Sequence, residues 1–158
     1  MNYLITEKEF LSPDTIRCNY FRVDRDKHKT DFLIVSFVGN YPDGSLGKNQ
    51  TKFRTRKTTS RLIEFDPEAL VLNFRDLTYN WYNNILDVIA FISDFKYYKN
   101  SENEPNFPPF TLISKKIKNG IRSLFNLTGN SDLINFIFED KDITVKNAIK
   151  KEKYWLDF

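Results

Sequence analysis

The stretch ALVLNFRDLTYNWYNNILDVIAFI, residues 69–92, decides the fold of this chain. It opens with an apolar segment, Leu70–Phe74, that predicts a buried strand, and it closes with apolar residues at helical spacing that predict a helix over Asn83–Phe95. A polar and aromatic loop is predicted between them, over Arg75–Asn83. Because ligands and partners usually bind at such strand-to-helix loops of open α/β sheets, this loop is the first candidate for a functional site.

Further elements are predicted on both sides of this stretch. Strands are predicted at Ile16–Val23, Phe32–Gly39, Phe110–Ser114 and Leu133–Phe138. Helices are predicted at Lys48–Glu64, at Lys116–Thr128 with Gly129-Asn130 as its end signal, and after Asp142, which is the predicted cap of the last helix. The order β-β-α-β-α-β-α-β-α predicts one α/β domain, with a mostly parallel central sheet of about five strands, three to four helices and right-handed crossovers.

Three segments are predicted to lie outside regular structure within the single domain 1–158. Residues 1–15 form a lead-in, residues 96–109 form a long polar loop that we expect to tolerate insertion, and residues 150–158 form a tail. The tail ends in large apolar residues and is expected to dock on the body of the domain. A charged hairpin loop is predicted over 24–31.

Composition excludes several classes of protein. A chain of 158 residues with 41% hydrophobic and 28% charged residues is typical of one globular domain. With 24 basic and 21 acidic residues the net charge is +3, which is too balanced to indicate nucleic-acid binding by itself. The single cysteine excludes an intrachain disulfide. No signal peptide and no transmembrane run are found, so we expect a cytoplasmic protein without membrane contact.

The chain resembles the STAS domains, which are found in anti-sigma-factor antagonists and in the tails of sulfate transporters. The resemblance covers about residues 16–150. The order of elements matches, and Leu70–Ile92 follows the layout of the family's "vvlDlsgvtyiDSsG" strand and the apolar helix after it. The segment Ile117–Ala148 also resembles the family's last third, in which a helix ends at "ltGl", a strand "if" follows, and the last helix lies near "eeAl". The resemblance implies a STAS-like α/β fold.

The resemblance also implies a phosphorylatable serine in the loop before the apolar helix, and this chain departs from it there. Asn80-Trp81-Tyr82-Asn83-Asn84 occupies that place without a Ser or Thr. A STAS-like domain with this sequence is therefore expected to lack the usual phosphoswitch and to keep a docking surface. A crotonase-like α/β spiral is a related alternative, but the chain is short for it and lacks its paired glycine donors.

Two loops supply the candidate partner-binding residues. Trp and Tyr are favoured interface anchors because they bury a large area at small entropic cost. The turn YPDGSLG at 41–47 follows the other buried strand, so it is expected to join the first loop at one edge of the sheet, although it lacks the spacing of a phosphate-binding P-loop. The predicted partner-binding residues are Tyr79, Asn80, Trp81, Tyr82, Asn83, Tyr41, Asp43 and Lys48.

A basic run precedes Glu64 in the first predicted helix. Its members are Lys48, Lys52, Arg54, Arg56, Lys57 and Arg61, and the apolar face of this helix is predicted to hold Leu46, Phe53, Ser60 and Ile63. Six cations spread around a helix are typical of a solvated face, so nucleic acid is an improbable partner and an acidic protein is favoured over it.

Few residues of the chain carry catalytic potential. Without a second histidine, His28 cannot form a His-based metal site or a Ser-His-Asp triad. Cys18 is predicted to be a small buried residue. Asp76 and Asp87 could act as an acid–base pair, but Asp76 is predicted to hold the loop through backbone amides, and Asp87 to lie near the first turn of a helix. No cofactor, no metal and no enzymatic activity are predicted.

These observations favour a non-catalytic protein-binding module. The first hypothesis is a bacterial immunity protein that binds and neutralises a cognate toxin domain. The second is a STAS-like regulatory domain without the phosphoswitch. The third is a small-ligand-binding or enzymatic α/β domain that uses a cleft between residues 43–48 and 76–84, where Asp43, Lys48, Asp76 and Asn80 would line the site.

Overall fold

The computed structural model describes residues 4, 6–7, 12–23, 32–40, 47–78, 83–95, 109–129 and 131–156. For residues 83–84, 94–95, 131–132 and 151–156 it describes the backbone alone. The hairpin loop predicted at 24–31, most of the loop predicted at 96–109 and much of the predicted lead-in therefore fall outside the description. The end of the predicted tail, 157–158, does so as well, and the prediction that the tail lies outside regular structure is wrong up to Leu156, where the last helix ends.

The structure is one α/β domain with the predicted order of elements. The strands are β1 (Ile16–Val23), β2 (Phe32–Asn40), β3 (Ala69–Thr78), β4 (Phe110–Leu112) and β5 (Ile137–Phe138). The helices are α1 (Lys48–Phe65), α2 (Asn83–Phe95), α3 (Lys118–Leu127) and α4 (Lys141–Leu156), and short 3-10 turns over Lys115–Ile117 and Ser131–Phe136 precede α3 and β5.

The five strands form one sheet in the order β1-β2-β3-β4-β5. β1 is antiparallel to β2, and each later pair is parallel, as the alternation of strands with helices predicts. The central pair, β2 and β3, is aligned from Phe32 opposite Ala69 to Asn40 opposite Thr78, with an irregularity between Ser36 and Val38. The carboxyl ends of β2 and β3 therefore lie side by side.

Both faces of the sheet are covered, which explains the continuous apolar sequence of β2 and β3. Successive residues of β3 point to opposite faces: Leu70 and Leu72 pack in the larger cluster with α1, α2 and α3, whereas Val71 packs in a smaller cluster with Ala148 of α4. α2 contributes four almost fully buried residues at helical spacing, and this confirms its predicted apolar stripe: Ile85, Val88, Ile89 and Ile92.

Strand β3 is longer than the sequence predicts. Its apolar part ends at Phe74, but β2 continues to Asn40 and supplies hydrogen-bonding partners as far as Thr78, so the loop predicted to begin at Arg75 begins after Thr78. Asp76 is an exposed residue of β3, so it lies in the strand and not in the loop, and its predicted bonding of the loop amides stays a prediction because residues 79–82 lie outside the described ranges. Asn73 also holds the backbone of β3, since its Oδ1 accepts a hydrogen bond from the Arg75 amide at 3.1 Å.

The strand predicted at Leu133–Phe138 is also wrong over most of its length. β4 is only three residues long, so it pairs with Ile137 and Phe138 alone, and the preceding residues form a 3-10 turn. The predicted cap of the last helix is displaced by two residues. Asp140, not Asp142, accepts the hydrogen bond from the Ile143 amide at 2.8 Å, and Asp142 lies in the first turn of α4.

Candidate functional site

The predicted contact loops leave the sheet next to one another. Most of their residues lie in the parts of the chain that the structure does not describe: Tyr41, Asp43, Tyr79, Asn80, Trp81 and Tyr82. Their anchor points are described. Asn40 and Thr78 are paired at the carboxyl ends of β2 and β3, while Lys48, which is exposed, is the first residue of α1 and Asn83 is the first residue of α2. The anchors thus join the two loops to adjacent points of one sheet edge.

The base of the 41–46 segment is fixed by a close backbone contact. Gly39 has φ +136°, a conformation that L side chains rarely adopt, and an added Cβ would lie 2.0 Å from the carbonyl oxygen of Thr15. That same oxygen accepts a hydrogen bond from the Asn40 amide at 2.9 Å. The Thr15 hydroxyl accepts a further hydrogen bond from Gln50 Nε2 at 3.3 Å. The end of β2 is therefore tied both to the chain before β1 and to α1.

One member of the basic run lies inside the protein. Arg54 is completely buried, and its guanidinium carbon is 5.3 Å from the centre of the Phe74 ring, near the carboxyl end of β3. For this residue the predicted solvated face is wrong. The predicted apolar face of α1 is wrong at Ser60 and Ile63, which are exposed, and correct at Phe53, which is buried; Leu46 lies outside the described residues. The buried face holds Gln50, Phe53, Arg54, Thr58 and Leu62.

An open groove of about 560 Å³ runs between the outer faces of α1 and α2. We call it the α1–α2 groove; its lining is Thr51, Lys52, Thr55, Arg56, Thr59, Ser60, Ile63, Asp87 and Phe91. Apolar atoms make up most of this lining, and two large apolar side chains stand open to solvent in it, Ile63 with 69% and Phe91 with 48% exposure. The sequence did not predict this groove, although the threonines at 51, 55 and 59 repeat at helical spacing.

Cys18 is part of a small cluster between β1 and α1 that does not favour nucleophilic chemistry. Burial raises the pKa of the Cys18 thiol, and this effect outweighs the lowering of the pKa by the neighbouring Tyr20 hydroxyl and by the nearby cations. A thiol held protonated is a weak nucleophile. Burial and the Cys18 contact raise the pKa of Tyr20 to about 12, and the Arg61 guanidinium lies 4.4 Å from the centre of the Tyr20 ring. Cys18 is half-buried and packs against the larger core cluster, so the predicted burial is only partly reached.

A second hollow, of about 600 Å³, lies beside the short edge strand β5. It is lined by cations from the start of α3 and by carboxylates that follow β5. Lys118 forms an ion pair with Glu139 across it, and the Asp140 carboxylate caps α4. These side chains already hold neighbouring elements together, so this hollow is less open to a partner than the α1–α2 groove.

Within the described ranges, no group of three or more His, Cys, Asp or Glu side chains is placed to hold a metal ion. Nor does any helix in those ranges have the length and apolar character needed to cross a membrane. His28 falls in the undescribed segment 24–31.

Comparison with known proteins places the fold. No protein-family model matches the chain, and no curated protein matches it either. Among solved structures, an anti-sigma factor antagonist from Mycobacterium paratuberculosis matches with a TM-score of 0.52 and 14% sequence identity, over 87% of this chain and 97% of that one. The fold is STAS-like. This confirms the resemblance drawn from residues 16–150 as a likeness of fold.

Proposed function

We propose that this chain is a STAS-like protein-binding domain that acts without catalysis and without a phosphoserine switch. The observation that supports this proposal most directly is the sequence at the start of α2. The helix begins at Asn83, directly after the loop that follows β3, and the residues from Asn80 to Asn84 include no Ser or Thr. A domain with this fold but no phosphoacceptor at that place would control a partner by binding alone.

The proposed partner is a regulatory protein, and the proposed surface is the carboxyl edge of β2 and β3. The matched structure is described as an anti-sigma factor antagonist, a protein that works against another regulatory protein. Trp81, Tyr79 and Tyr82 are the anchors we propose, with Tyr41, Asp43, Lys48 and the two asparagines Asn80 and Asn83 around them. Large aromatic side chains at the centre of an interface carry most of the binding free energy. We propose that the domain works in the cytoplasm.

The two other hypotheses have less support. Neutralisation of a toxin would use the same surface, but no feature of the fold or the comparisons favours a toxin over a regulatory partner. A cleft between 43–48 and 76–84 would need a desolvated catalytic group. Asp76, its described carboxylate, is exposed on β3, and this favours a contact surface over an enzyme site.

Affinity capture with matched variants tests the proposal. The bait is the wild-type chain, and a Trp81→Ala/Tyr82→Ala double variant tests the surface. Phe21→Ala is the control, because Phe21 is an exposed aromatic residue (54%) on β1 that pairs with Ile34, away from Asn40 and Thr78. We expect one stoichiometric protein partner whose affinity falls by about 2 kcal/mol or more in the double variant alone. Unchanged urea unfolding of the double variant shows that the fold is intact.

The absence of the switch is tested on the same complex. Wild-type protein recovered from cells, and protein incubated with lysate and ATP, is weighed by intact mass spectrometry. We expect no phosphorylated species and no effect of ATP on partner binding. Phosphorylation of Thr78 or another nearby hydroxyl together with release of the partner would refute binding without a switch.

A further inference from the structure

The α1–α2 groove is a second surface that the proposed function does not use. The geometry points to the docking of an acidic amphipathic helix from a partner protein in this groove. The inference goes beyond the proposed function, because the described lining of the groove comes from α1 and α2 and not from the carboxyl ends of β2 and β3.

The shape of the groove favours a helix over a small molecule. Sites for small molecules enclose most of the ligand surface, whereas this groove lies open along its side. Its α1 wall runs from Thr51 to Ile63, which at 1.5 Å per residue is about 18 Å, or three turns of a helix lying alongside. The side chains of Thr51, Thr55 and Thr59 are short and line one side of α1, so a second helix can approach closely.

The exposed apolar residues supply anchor points. Ile63 and Phe91 lie on opposite walls of the groove, and both are exposed although the lining between them is mostly apolar. Leucine-sized side chains at positions i, i+3 or i+4 and i+7 of a bound helix would cover them, which is the usual mode of helix-in-groove recognition.

The charged residues in and around the α1–α2 groove favour an acidic partner. Lys52 and Arg56 line the groove on α1, and Asp87 is the one carboxylate among the described residues of its lining. Between Lys48 and Ile63 the chain carries six basic residues and no acidic one. A second copy of this chain would bring the same basic helix against itself, and like charges at an interface are strongly unfavourable. An acidic amphipathic helix would place its carboxylates near the cations of the groove and cover the apolar anchors with its apolar face.

Selection from a displayed library tests this inference. The probe is a library of 15-residue helical peptides with randomised surface positions, selected on the wild-type protein. We expect enriched peptides to be acidic and amphipathic. In fluorescence anisotropy their affinity should fall about tenfold or more in Lys52→Glu/Arg56→Glu. The control Lys146→Glu/Lys150→Glu makes the same change of net charge on exposed residues of α4, across the sheet, and should leave affinity unchanged.

Two further variants keep the test decisive. If the double variant is destabilised, Ile63→Glu replaces an exposed helical residue with a good helix former and should also weaken acidic peptides. Trp81→Ala/Tyr82→Ala should keep full peptide binding, so failure of the edge surface and failure of the groove are told apart. The inference is overturned if no peptide is enriched, if enriched peptides are not acidic, if the α4 control weakens binding equally, or if a dimer of the chain that Ile63→Glu breaks already fills the groove.

Discussion

Replacement of Gly39 by alanine should destabilise the protein much more than the same change at Gly129. Both glycines have positive φ, +136° at Gly39 and +74° at Gly129. An added Cβ at Gly39 would lie 2.0 Å from the Thr15 carbonyl oxygen, whereas at Gly129 it would meet no atom within 4 Å. The pair therefore separates the cost of the backbone conformation from the cost of the contact.

The magnitude follows from two contributions. A left-handed residue at a helix end, as at Gly129, costs about 1–2 kcal/mol for alanine. At Gly39 the glycine-only conformation costs about 1–3 kcal/mol, and relief of the overlap with Thr15 adds about 1–3 kcal/mol. We therefore expect Gly39→Ala to lose about 2–6 kcal/mol of the free energy of unfolding, and to move the edge of β1 away from β2.

Urea unfolding followed by circular dichroism measures the loss of free energy of unfolding in the two alanine variants, and the comparison holds when both variants have the same m-value. Asn40 provides a local readout, because its amide donates to the displaced Thr15 oxygen and should exchange with deuterium faster in Gly39→Ala than in wild type. Equal losses for the two alanine variants, with Asn40 exchange unchanged, would show that the contact with Thr15 relaxes freely and would refute the reasoning.

Two further predictions concern buried polar groups. Thr58 and Thr144 are both completely buried in helices, but the Thr58 hydroxyl meets no hydrogen-bond partner in the described structure, while that of Thr144 donates to the Asp140 carbonyl at 2.6 Å. Thr58→Val should therefore stabilise the protein by about 1 kcal/mol and Thr144→Val should destabilise it by a similar amount in urea unfolding; equal signs would contradict this assignment. The pKa of the Tyr20 hydroxyl is raised from 10 to about 12, so the folded state holds this proton more tightly than the unfolded state does. The protonated hydroxyl therefore contributes to the free energy of unfolding in full below pH 10, and this contribution is lost as the pH rises towards 12. Unfolding between pH 9 and 11.5 should show this loss, and Tyr20→Phe should remove it.

The sequence predicts those parts of the fold in which burial and periodicity agree. β2 and α2 were located because Phe32–Gly39 is continuously apolar and because the apolar residues of α2 recur at helical spacing. The same reasoning fails where pairing rather than hydrophobicity sets the boundary. β3 continues through Asp76 because β2 is there to pair with it, and β5 shrinks to Ile137 and Phe138 because β4 is short.

The candidate site was predictable to a smaller degree. The order of elements predicts that the ends of β2 and β3 lie side by side, and Asn40 is paired with Thr78 there. That a partner binds at this edge stays a prediction. The α1–α2 groove did not follow, because the sequence of α1 gives little indication of which face is buried. Arg54 and Thr58 are polar residues on the buried face, and Ile63 is apolar but exposed. A prediction from hydrophobicity alone therefore assigns Arg54 and Thr58 to the exposed face and Ile63 to the buried one.

The composition of α1 has a physical reason that stability alone does not provide. A helix that packs on a sheet gains most from large apolar residues on its inner face and from good helix formers outside. α1 has a guanidinium, a carboxamide and a hydroxyl group inside, from Arg54, Gln50 and Thr58, and on its outer face short threonines between lysine and arginine side chains. Leucine at Thr55 or Thr59 would bury more apolar area, but it would fill the α1–α2 groove. The short, half-buried threonines leave the mostly apolar groove open between Ile63, Phe91 and the cations Lys52 and Arg56, which is the arrangement that the proposed docking of an acidic helix requires.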